Sequence, residues 1–312
     1  MTRIVFFGTP DAAAKALRAL VAAGHDVSAV YTRPDRISGR SRTPRPTPVK
    51  ETAMELNLPV YSPGSLRGDA LLNELSATPT DIFVILAYGR ILPPALLDLP
   101  GRGVLNVHPS LLPLYRGPSP VVTAVREGAS ETGVSVMLLD EGMDTGPVIA
   151  QSAPVPITRE DTAESLTDRL FMMGVNLLVE IIPAWVRGDL TAREQDDATA
   201  TVTSLVKKSD GELDFEATAI EITRAIRAYH PWPGTFTRWA GESLKIIEGV
   251  VAGDGAGQPG VVSVSDGRLL ITTGEGGLEV KRIQLEGRGV VTAGEFLRGY
   301  PAIEGARLPE NG

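Results

Sequence analysis

An amide and an imidazole lie two residues apart in this chain, at the end of a short apolar segment. Residues 104–108 read V-L-N-V-H, and strand alternation puts Leu105 and Val107 on one face and Asn106 and His108 on the other. Prolines follow at once and favour a loop. An amide can polarise a carbonyl group and an imidazole can move a proton. The spacing therefore predicts a site that acts on a carbonyl carbon, whereas a lone histidine is more often a core residue.

An acidic turn, D-E-G-M-D-T-G at residues 140–146, follows the apolar segment Gly133–Leu139. Its two glycines permit an irregular backbone that can present a carboxylate. Placed beside His108, Asp144 would set the imidazole tautomer and stabilise the protonated ring. The turn lacks the ligand spacing of an EF-hand, so calcium is not expected. We predict Asn106, His108 and Asp144 as the catalytic residues.

The two motifs occur together in one known family. The chain reads N-x-H-x-S-L-L-P-x-Y-R-G at residues 106–117 and D-x-G-x-D-x-G at residues 140–146, and in this it resembles the tetrahydrofolate-dependent formyltransferases. The resemblance covers nearly the whole chain. One departure is P-S-P-V at residues 118–121, where the family usually has A-A-P-I, and it concerns only local packing. The further matching stretches are F-G-T-P-D at 7–11, T-R-P-D-R at 32–36, P-T-P-V-K at 46–50, A-Y-G-R-I-L-P at 87–93 and I-R-A-Y-H-P-W-P at 226–233.

The resemblance implies an activity and a binding site. The activity is transfer of the formyl group of 10-formyltetrahydrofolate to the α-amino group of initiator methionyl-tRNA, without a metal. Backbone groups of a proline-stiffened loop would hold the reduced folate with little loss of entropy. The residues that the resemblance places at the folate are Ala87, Tyr88, Gly89, Ile91, Leu92, Ser110, Leu111, Leu112, Pro113 and Asp140.

Alternating strands and helices in the first part of the chain predict an α/β fold with a doubly wound, mostly parallel, Rossmann-like sheet at residues 1–187. Its strands are predicted at Ile4–Phe7, Val27–Tyr31, Ile82–Ala87, Val104–His108 and Gly133–Leu139. Gly8, Tyr88, His108 and Asp144 are all expected at the carboxyl ends of these strands, where such sheets bind ligands.

A polar linker is predicted at residues 188–208, followed by a smaller β domain at residues 209–312. Its predicted strands are Leu244–Val250, Gly260–Ser265, Leu269–Thr272 and Leu278–Leu285. Short strands with Gly/Asp turns favour a small barrel, and the resemblance implies an OB-like barrel that contacts tRNA.

The overall charge is −8, and from Ser209 onward 10 Lys and Arg face 15 Asp and Glu, so contact with phosphates must depend on local clusters. Residues 31–50 form one such cluster, with six basic residues, one acidic residue and several prolines, and are predicted to be an irregular basic loop. The resemblance implies that this loop inserts at the acceptor end of the tRNA. The predicted tRNA-binding residues are Arg36, Arg40, Arg42, Arg45, Lys207 and Lys208.

Composition limits the class of protein. The chain has 312 residues, 43% of them hydrophobic, no cysteine and three histidines. A disulfide framework, a thiolate zinc site and a multi-histidine metal site are therefore not expected. A core strand begins at Ile4, which leaves no room for a leader peptide, and we see no apolar run of about 18–20 residues. We expect a monomeric cytoplasmic protein without membrane contact.

Several other functions remain open or are disfavoured. Residues 8–13 read G-T-P-D-A-A and lack the dinucleotide fingerprint, and no G-x-S-x-G elbow supports a serine hydrolase. Formyltetrahydrofolate hydrolase, nucleotide-sugar amine formyltransferase and glycinamide ribonucleotide formylation share the catalytic motif. A non-enzymatic RNA-binding protein would leave the three catalytic residues unexplained. The basic loop and the second domain favour a large anionic acceptor.

Overall fold

The computed structural model describes residues 1–37, 44–253, 255 and 257–310. The chain forms two compact units. The first comprises Met1–Gly117, Thr132–Val155 and Asp168–Val202, and the second comprises Pro118–Glu131, Pro156–Thr167 and Thr203–Gly312. The segment 188–208, predicted as a linker, is therefore divided between them, and residues 188–202 pack within the first unit. Arg193 pairs there with Val148 through two backbone hydrogen bonds of 2.8 Å, which a composition-based assignment of a linker could not anticipate.

The five strands predicted as far as residue 187 are present and have helices between them, whereas the other strands in this part of the chain were not predicted. They are β1 (Arg3–Gly8), α1 (Asp11–Ala22), β2 (Asp26–Tyr31), β3 (Arg36–Ile37), β4 (Pro44–Arg45), α2 (Pro48–Glu55), β5 (Val60–Tyr61), α3 (Asp69–Ala77), β6 (Ile82–Leu86), α4 (Pro94–Leu97), β7 (Val104–His108), α5 (Pro120–Glu127), β8 (Glu131–Thr132), β9 (Ser135–Leu138), β10 (Val148–Gln151), β11 (Val155–Pro156) and α6 (Ala163–Arg187).

The first unit is built on a seven-stranded sheet in the order β10-β9-β7-β6-β1-β2-β5. Strands β7, β6, β1, β2 and β5 are parallel, whereas β9 and β10 are antiparallel to their neighbours. Strands β1 and β6 are almost completely buried, as their continuous apolar sequences require in a sheet covered on both faces. The mostly parallel α/β fold is confirmed.

The direction of β9 changes the expected placement of the acidic turn. Leu138 pairs with Leu105 and Ser135 pairs with His108, so β9 ends beside the start of β7. The turn at 140–146 therefore leaves the sheet at the amino-terminal end of β7, whereas His108 lies at the carboxyl-terminal end. The turn has to fold back to reach His108. The prediction that the strand before Asp144 ends at the same end of the sheet as His108 was wrong. Residue alternation is the same in parallel and antiparallel strands, so the sequence pattern did not indicate the direction of β9.

The second unit carries an antiparallel sheet in the order β12-β13-β16-β15-β14, with β17 paired to β16. Apolar side chains of these strands, of α7 and of α8 form one core. The OB-like β domain is confirmed, but β12 and β17 were not predicted. Its elements are α7 (Ala219–Ala228), β12 (Thr235–Trp239), β13 (Glu242–Ala252), β14 (Val262–Ser265), β15 (Arg268–Thr272), β16 (Gly277–Leu285), β17 (Val291–Thr292) and α8 (Ala293–Gly299), with 3-10 helices at Lys208–Gly211 and Pro301–Ile303.

Helix α6 is long and apolar, in contrast to the expectation that no such segment exists. Among the described helices it is the one whose length and composition would allow a membrane crossing. Leu170, Val175, Leu178 and Ile182 are completely buried, however. A core helix satisfies the same test of length and composition, so the finding is weak support for a membrane span.

Gly174 lets α6 approach the strand that carries Asn106 and His108. A Cβ atom at this position would lie 2.8 Å from Cγ1 of Val134 and closer still to Cγ1 of Val107. We expect Gly174→Ala to lower the free energy of unfolding by about 1–3 kcal/mol through overpacking. Gly294→Ala in α8 is the matched control, because a Cβ there has open space, and it should raise stability by about 0.4–1 kcal/mol. Urea denaturation measures both, and equal effects would contradict the packing argument.

Candidate active site

Strand β7 presents the predicted amide and imidazole on one face. Asn106 pairs with Met137 and His108 with Ser135, both on β9. Asn106 is partly exposed, and its side-chain amide makes no hydrogen bond to the described residues, whereas His108 is buried. Because the Asn106 amide has no partner there, its N–H groups are available to an incoming oxygen atom.

The two ring nitrogens of His108 contact acceptors on two different loops. Nε2 lies 2.9 Å from the Tyr115 carbonyl oxygen, and Nδ1 lies 3.5 Å from Oδ2 of Asp144. The second distance is that of an ion pair rather than of a close hydrogen bond. A carbonyl and a carboxylate can only accept, so the ring makes both contacts when each nitrogen carries a proton.

The Asp144 carboxylate is itself held in place. Oδ2 accepts a hydrogen bond of 2.9 Å from the Gly117 backbone N–H, so residues of the motif at 106–117 contact both His108 and Asp144. The turn is closed by Asp140, whose carboxylate accepts hydrogen bonds from the Gly142 N–H and the Thr145 hydroxyl. The structure thus brings together His108 and Asp144, as the sequence predicted.

Residues that contact His108 adopt an uncommon backbone conformation. Tyr115 has φ = 59° and Asp144 has φ = 55°. Non-glycine residues in the left-handed region cost free energy and occur often at functional sites. The sequence did not predict Tyr115 and Gly117 as site residues, although both belong to the motif at 106–117 and could have been found from it.

Most of the predicted folate residues after β7 already make hydrogen bonds or packing contacts within the protein. The buried Ser110 hydroxyl donates to the Leu114 carbonyl at 2.6 Å, and the Ser110 carbonyl accepts from the Ser135 hydroxyl at 2.7 Å. Leu112 is buried with Met137 and Val148, whereas Leu111 and Pro113 are half-buried. The loop can therefore offer a ligand backbone groups and the half-buried side chains rather than the Ser110 hydroxyl.

The predicted folate residues after β6 divide into exposed and buried ones. Ala87 and Gly89 are exposed and have positive φ, and Ile91 is 92% exposed. Tyr88 and Leu92 are buried in the core of the first unit. Any contact of these two with a ligand would have to come from their backbone atoms, and the Tyr88 carbonyl already accepts from the Thr9 hydroxyl at 3.0 Å.

Tyr88 also brings a buried polar atom to this part of the sheet. Its Oη has no hydrogen-bond partner among the described residues. Burial raises the pKa of the Tyr88 hydroxyl, while the neighbouring Arg90 and Arg33 act in the opposite direction. The hydroxyl is therefore neutral and able to donate at physiological pH.

The predicted tRNA-binding residues lie in both units. Arg36 pairs with Arg45 in the two-stranded ladder of β3 and β4, so the described ends of the predicted irregular loop form a hairpin. Arg40 and Arg42 lie outside the described residues. Arg45 is exposed, as are Lys207 and Lys208.

Two further features concern possible ligands. In the described part of the chain, no group of three or more His, Cys, Asp and Glu side chains is arranged to hold a metal ion. The second unit has an open groove of about 590 Å³ whose lining includes Lys208, Arg238 and Lys245 as well as Glu212 and Glu286. The groove belongs to the OB-like domain and not to the site at His108.

The comparisons with known proteins cover both units. The family model described as "Formyl transferase" matches residues 2–182, and the one described as "Formyl transferase, C-terminal domain" matches residues 205–301. Over 311 residues the chain is 46% identical to a methionyl-tRNA formyltransferase of Chloroflexus aurantiacus, with 99% of this chain and 100% of that protein covered. It is 43% identical to a methionyl-tRNA formyltransferase of Dehalococcoides mccartyi, with 98% of each covered.

Two solved structures show the same fold at low sequence identity. One is an N-formyltransferase from Helicobacter canadensis in complex with folinic acid and dTDP-3-aminofucose, at a TM-score of 0.69 and 20% identity, covering 90% of this chain and 99% of that one. The other is HypX from Aquifex aeolicus in complex with tetrahydrofolic acid, at a TM-score of 0.65 and 17% identity, covering 95% of this chain and 47% of that one.

Proposed function

The chain belongs to the formyl transferase family, and we propose on that basis that it transfers the formyl group of 10-formyltetrahydrofolate to the α-amino group of initiator methionyl-tRNA. The observation that carries the assignment is the match over both units to relatives named methionyl-tRNA formyltransferase, at 43–46% identity. The product is N-formylmethionyl-tRNA for translation initiation.

Asn106 is the group that we assign to the developing oxyanion. When the amine attacks the formyl carbon, a C–N bond forms and the carbonyl electron pair moves onto oxygen. The partly exposed Asn106 amide has no competing partner among the described residues, so it can donate to that oxygen without first losing another bond. Such preorganised donors stabilise the transition state more than the ground state.

His108 is the group that we assign to the leaving nitrogen. The bond between the formyl carbon and the folate nitrogen breaks as the tetrahedral intermediate collapses, and that nitrogen needs a proton. His108 can supply it when it exchanges the Tyr115 carbonyl at Nε2, at 2.9 Å, for the folate atom. The amine loses a proton as the new C–N bond forms, and the neutral His108 ring can accept that proton and so return to its charged form. Asp144, on the Nδ1 side, stabilises the charged ring and stays a carboxylate.

Exposed apolar side chains within or beside the predicted folate segments support a partly apolar donor such as a reduced folate. Ile91 is itself a predicted folate residue, Leu114 follows Pro113 and Met143 precedes Asp144 in the sequence, and all three side chains are exposed. Apolar side chains with a few fixed polar groups are usual in small-molecule sites. We therefore keep the predicted folate residues as the proposed site, with Ser110, Leu112, Tyr88 and Leu92 acting through backbone or packing.

Substitution of Arg45 tests whether the basic cluster at residues 31–50 binds the tRNA acceptor. It is exposed, and the described residues give it no acidic partner. We expect Arg45→Ala to weaken tRNA binding and to reduce the slope of log Kd against log salt concentration by about 0.7–0.9, with folate affinity unchanged. Arg67→Ala, also at an exposed position of the first unit, is the control and should leave the slope unchanged. Equal losses of folate and tRNA affinity in Arg45→Ala would contradict the assigned role.

The hydrolase and the sugar formyltransferase are distinguished from this function by the acceptor. The deciding experiment is a formyl-transfer assay in which methionyl-tRNA, water and an amino-sugar nucleotide compete for the same donor. Formylation of methionyl-tRNA alone supports the proposal, and formate release or sugar formylation at comparable rates overturns it. We further propose that the protein acts in the cytoplasm and as a monomer.

A further inference from the structure

One side chain from outside the acidic turn donates two hydrogen bonds to the backbone of the turn. Gln195 lies in the segment predicted as a linker, and its Nε2 donates to the backbone carbonyls of Asp144 at 2.8 Å and Gly146 at 2.7 Å. These carbonyls belong to the turn that follows β9 at the amino-terminal end of β7 and folds back toward His108. The side chain thus holds the backbone on both sides of Thr145, next to the strained Asp144.

The same side chain also holds the other loop that contacts His108. Oε1 of Gln195 accepts a hydrogen bond of 2.9 Å from Nε of Arg116, and Nη2 of Arg116 lies 2.8 Å from Oδ1 of Asp197. Arg116 directly follows Tyr115, whose carbonyl faces Nε2 of His108. Arg116 can only donate and the two carbonyls can only accept, so these neighbours dictate the orientation of the Gln195 amide.

We propose that Gln195 is a positioning residue for the reaction, which keeps the Asp144 carboxylate at Nδ1 of His108 and the Tyr115 carbonyl at Nε2. This inference rests on the proposed function for its kinetic part. A direct contact of Gln195 with substrate is not required, because its three polar contacts are all within the protein. Its effect on the reaction passes through His108 and Asp144.

We expect Gln195→Met, which keeps the length of the side chain but removes both hydrogen-bonding groups, to lower kcat by about 10-fold to 10²-fold, as misplacement of reacting groups does. The KM values for folate and tRNA should stay within about threefold of the wild-type values. Gln195→Glu keeps the acceptor for Arg116 but turns a carboxylate toward two carbonyls, so kcat should fall at least as much. If Gln195→Met does not fold, Gln195→Glu carries the test.

Thr273→Val is the matched control. The buried Thr273 hydroxyl donates to two carbonyls of one turn, those of Glu275 and Gly276, in the second unit. The substitution should lower the melting temperature and leave kcat unchanged. A loss of kcat in Thr273→Val equal to that in Gln195→Met would overturn the positioning role and indicate general destabilisation.

A double-variant comparison and a spectroscopic signal complete the test. In the Asp144→Ala background, Gln195→Met should cause a much smaller loss of kcat than in the wild-type background, because one of the two groups it positions is gone; fully additive losses would overturn the proposal. The chain has three histidines, so the ring signals of His108 can be assigned by their loss in His108→Ala. In folate-free protein at one pH, Gln195→Met should move the ¹⁵N shift of Nδ1 of His108 toward its value in Asp144→Ala, and an unchanged shift would overturn the proposal. The spectroscopic measurement needs no acceptor and therefore separates the two proposals. Failure of the wild-type protein to formylate methionyl-tRNA would refute the proposed function, and the spectroscopic result on Gln195 would still be interpretable.

Discussion

Asn106→Ala, His108→Ala and Asp144→Ala should each reduce the kcat for formyl transfer by orders of magnitude while leaving the fold intact. Loss of an oxyanion donor costs about 10²–10³ in kcat, and loss of a general acid costs about 10²–10⁴. The losses should not add, because Asp144 acts on His108 at 3.5 Å and both act on the same intermediate. Single-turnover kinetics with saturating folate and methionyl-tRNA measures the chemical step directly.

Two surface substitutions of the same type are the controls for these variants. Asn73→Ala changes an exposed residue of α3, and Asp189→Ala removes an exposed carboxylate that pairs with Arg187. Both should retain wild-type kcat, since exposed ion pairs contribute little. Near-normal kcat in any of the three site variants, with an unchanged melting temperature, would show that its assigned role is wrong.

The second large effect concerns water as a competing nucleophile. Asn106 and His108 would assist attack by water as well as by an amine, so these two side chains alone cannot select between the nucleophiles. An amine can outcompete roughly 55 M water only when binding positions it at the formyl carbon. We therefore expect formate release to be undetectable without tRNA and formylation to be rapid with methionyl-tRNA. Both products can be followed from a donor labelled in the formyl group.

Deacylated initiator tRNA is the matched control for acceptor binding. It has the same phosphates and acceptor stem but no amine, so it should inhibit transfer without causing formate release. The rate with methionyl-tRNA should also rise with pH until the amine is neutral; a peptide α-amine has a pKa of about 7.7–8.0, and an esterified one should titrate lower. Formate release at the same rate with and without methionyl-tRNA would favour the hydrolase.

The basic residues of the first unit show a limit of prediction from sequence. The cluster at residues 31–50 was identified by charge, but the pairing of Arg36 with Arg45 in a hairpin was not. Prolines on either side favoured an irregular loop. A two-residue ladder is too short to leave an alternation pattern in the sequence, so only the structure could reveal it.

The sequence by itself determined the parts of this protein that depend on local pattern. Alternation over Val104–His108 placed Asn106 and His108 on one face of a strand, and the structure has the strand at those residues. Alternating strands and helices gave the α/β class, and the short strands of the last hundred residues gave a second β domain. These features follow from side-chain periodicity and turn chemistry, which act over a few residues.

Only the tertiary structure decided how the distant groups meet. The antiparallel direction of β9, the return of the acidic turn to His108 and the packing of Gln195 on that turn all depend on contacts between residues 27 to 51 positions apart. Alternation is the same in either strand direction, and a polar segment has the composition of a linker whether it is free or packed. Long-range hydrogen bonds such as those of Gln195 leave no periodic pattern in the sequence, and they fix the Asp144 carboxylate where His108 can use it.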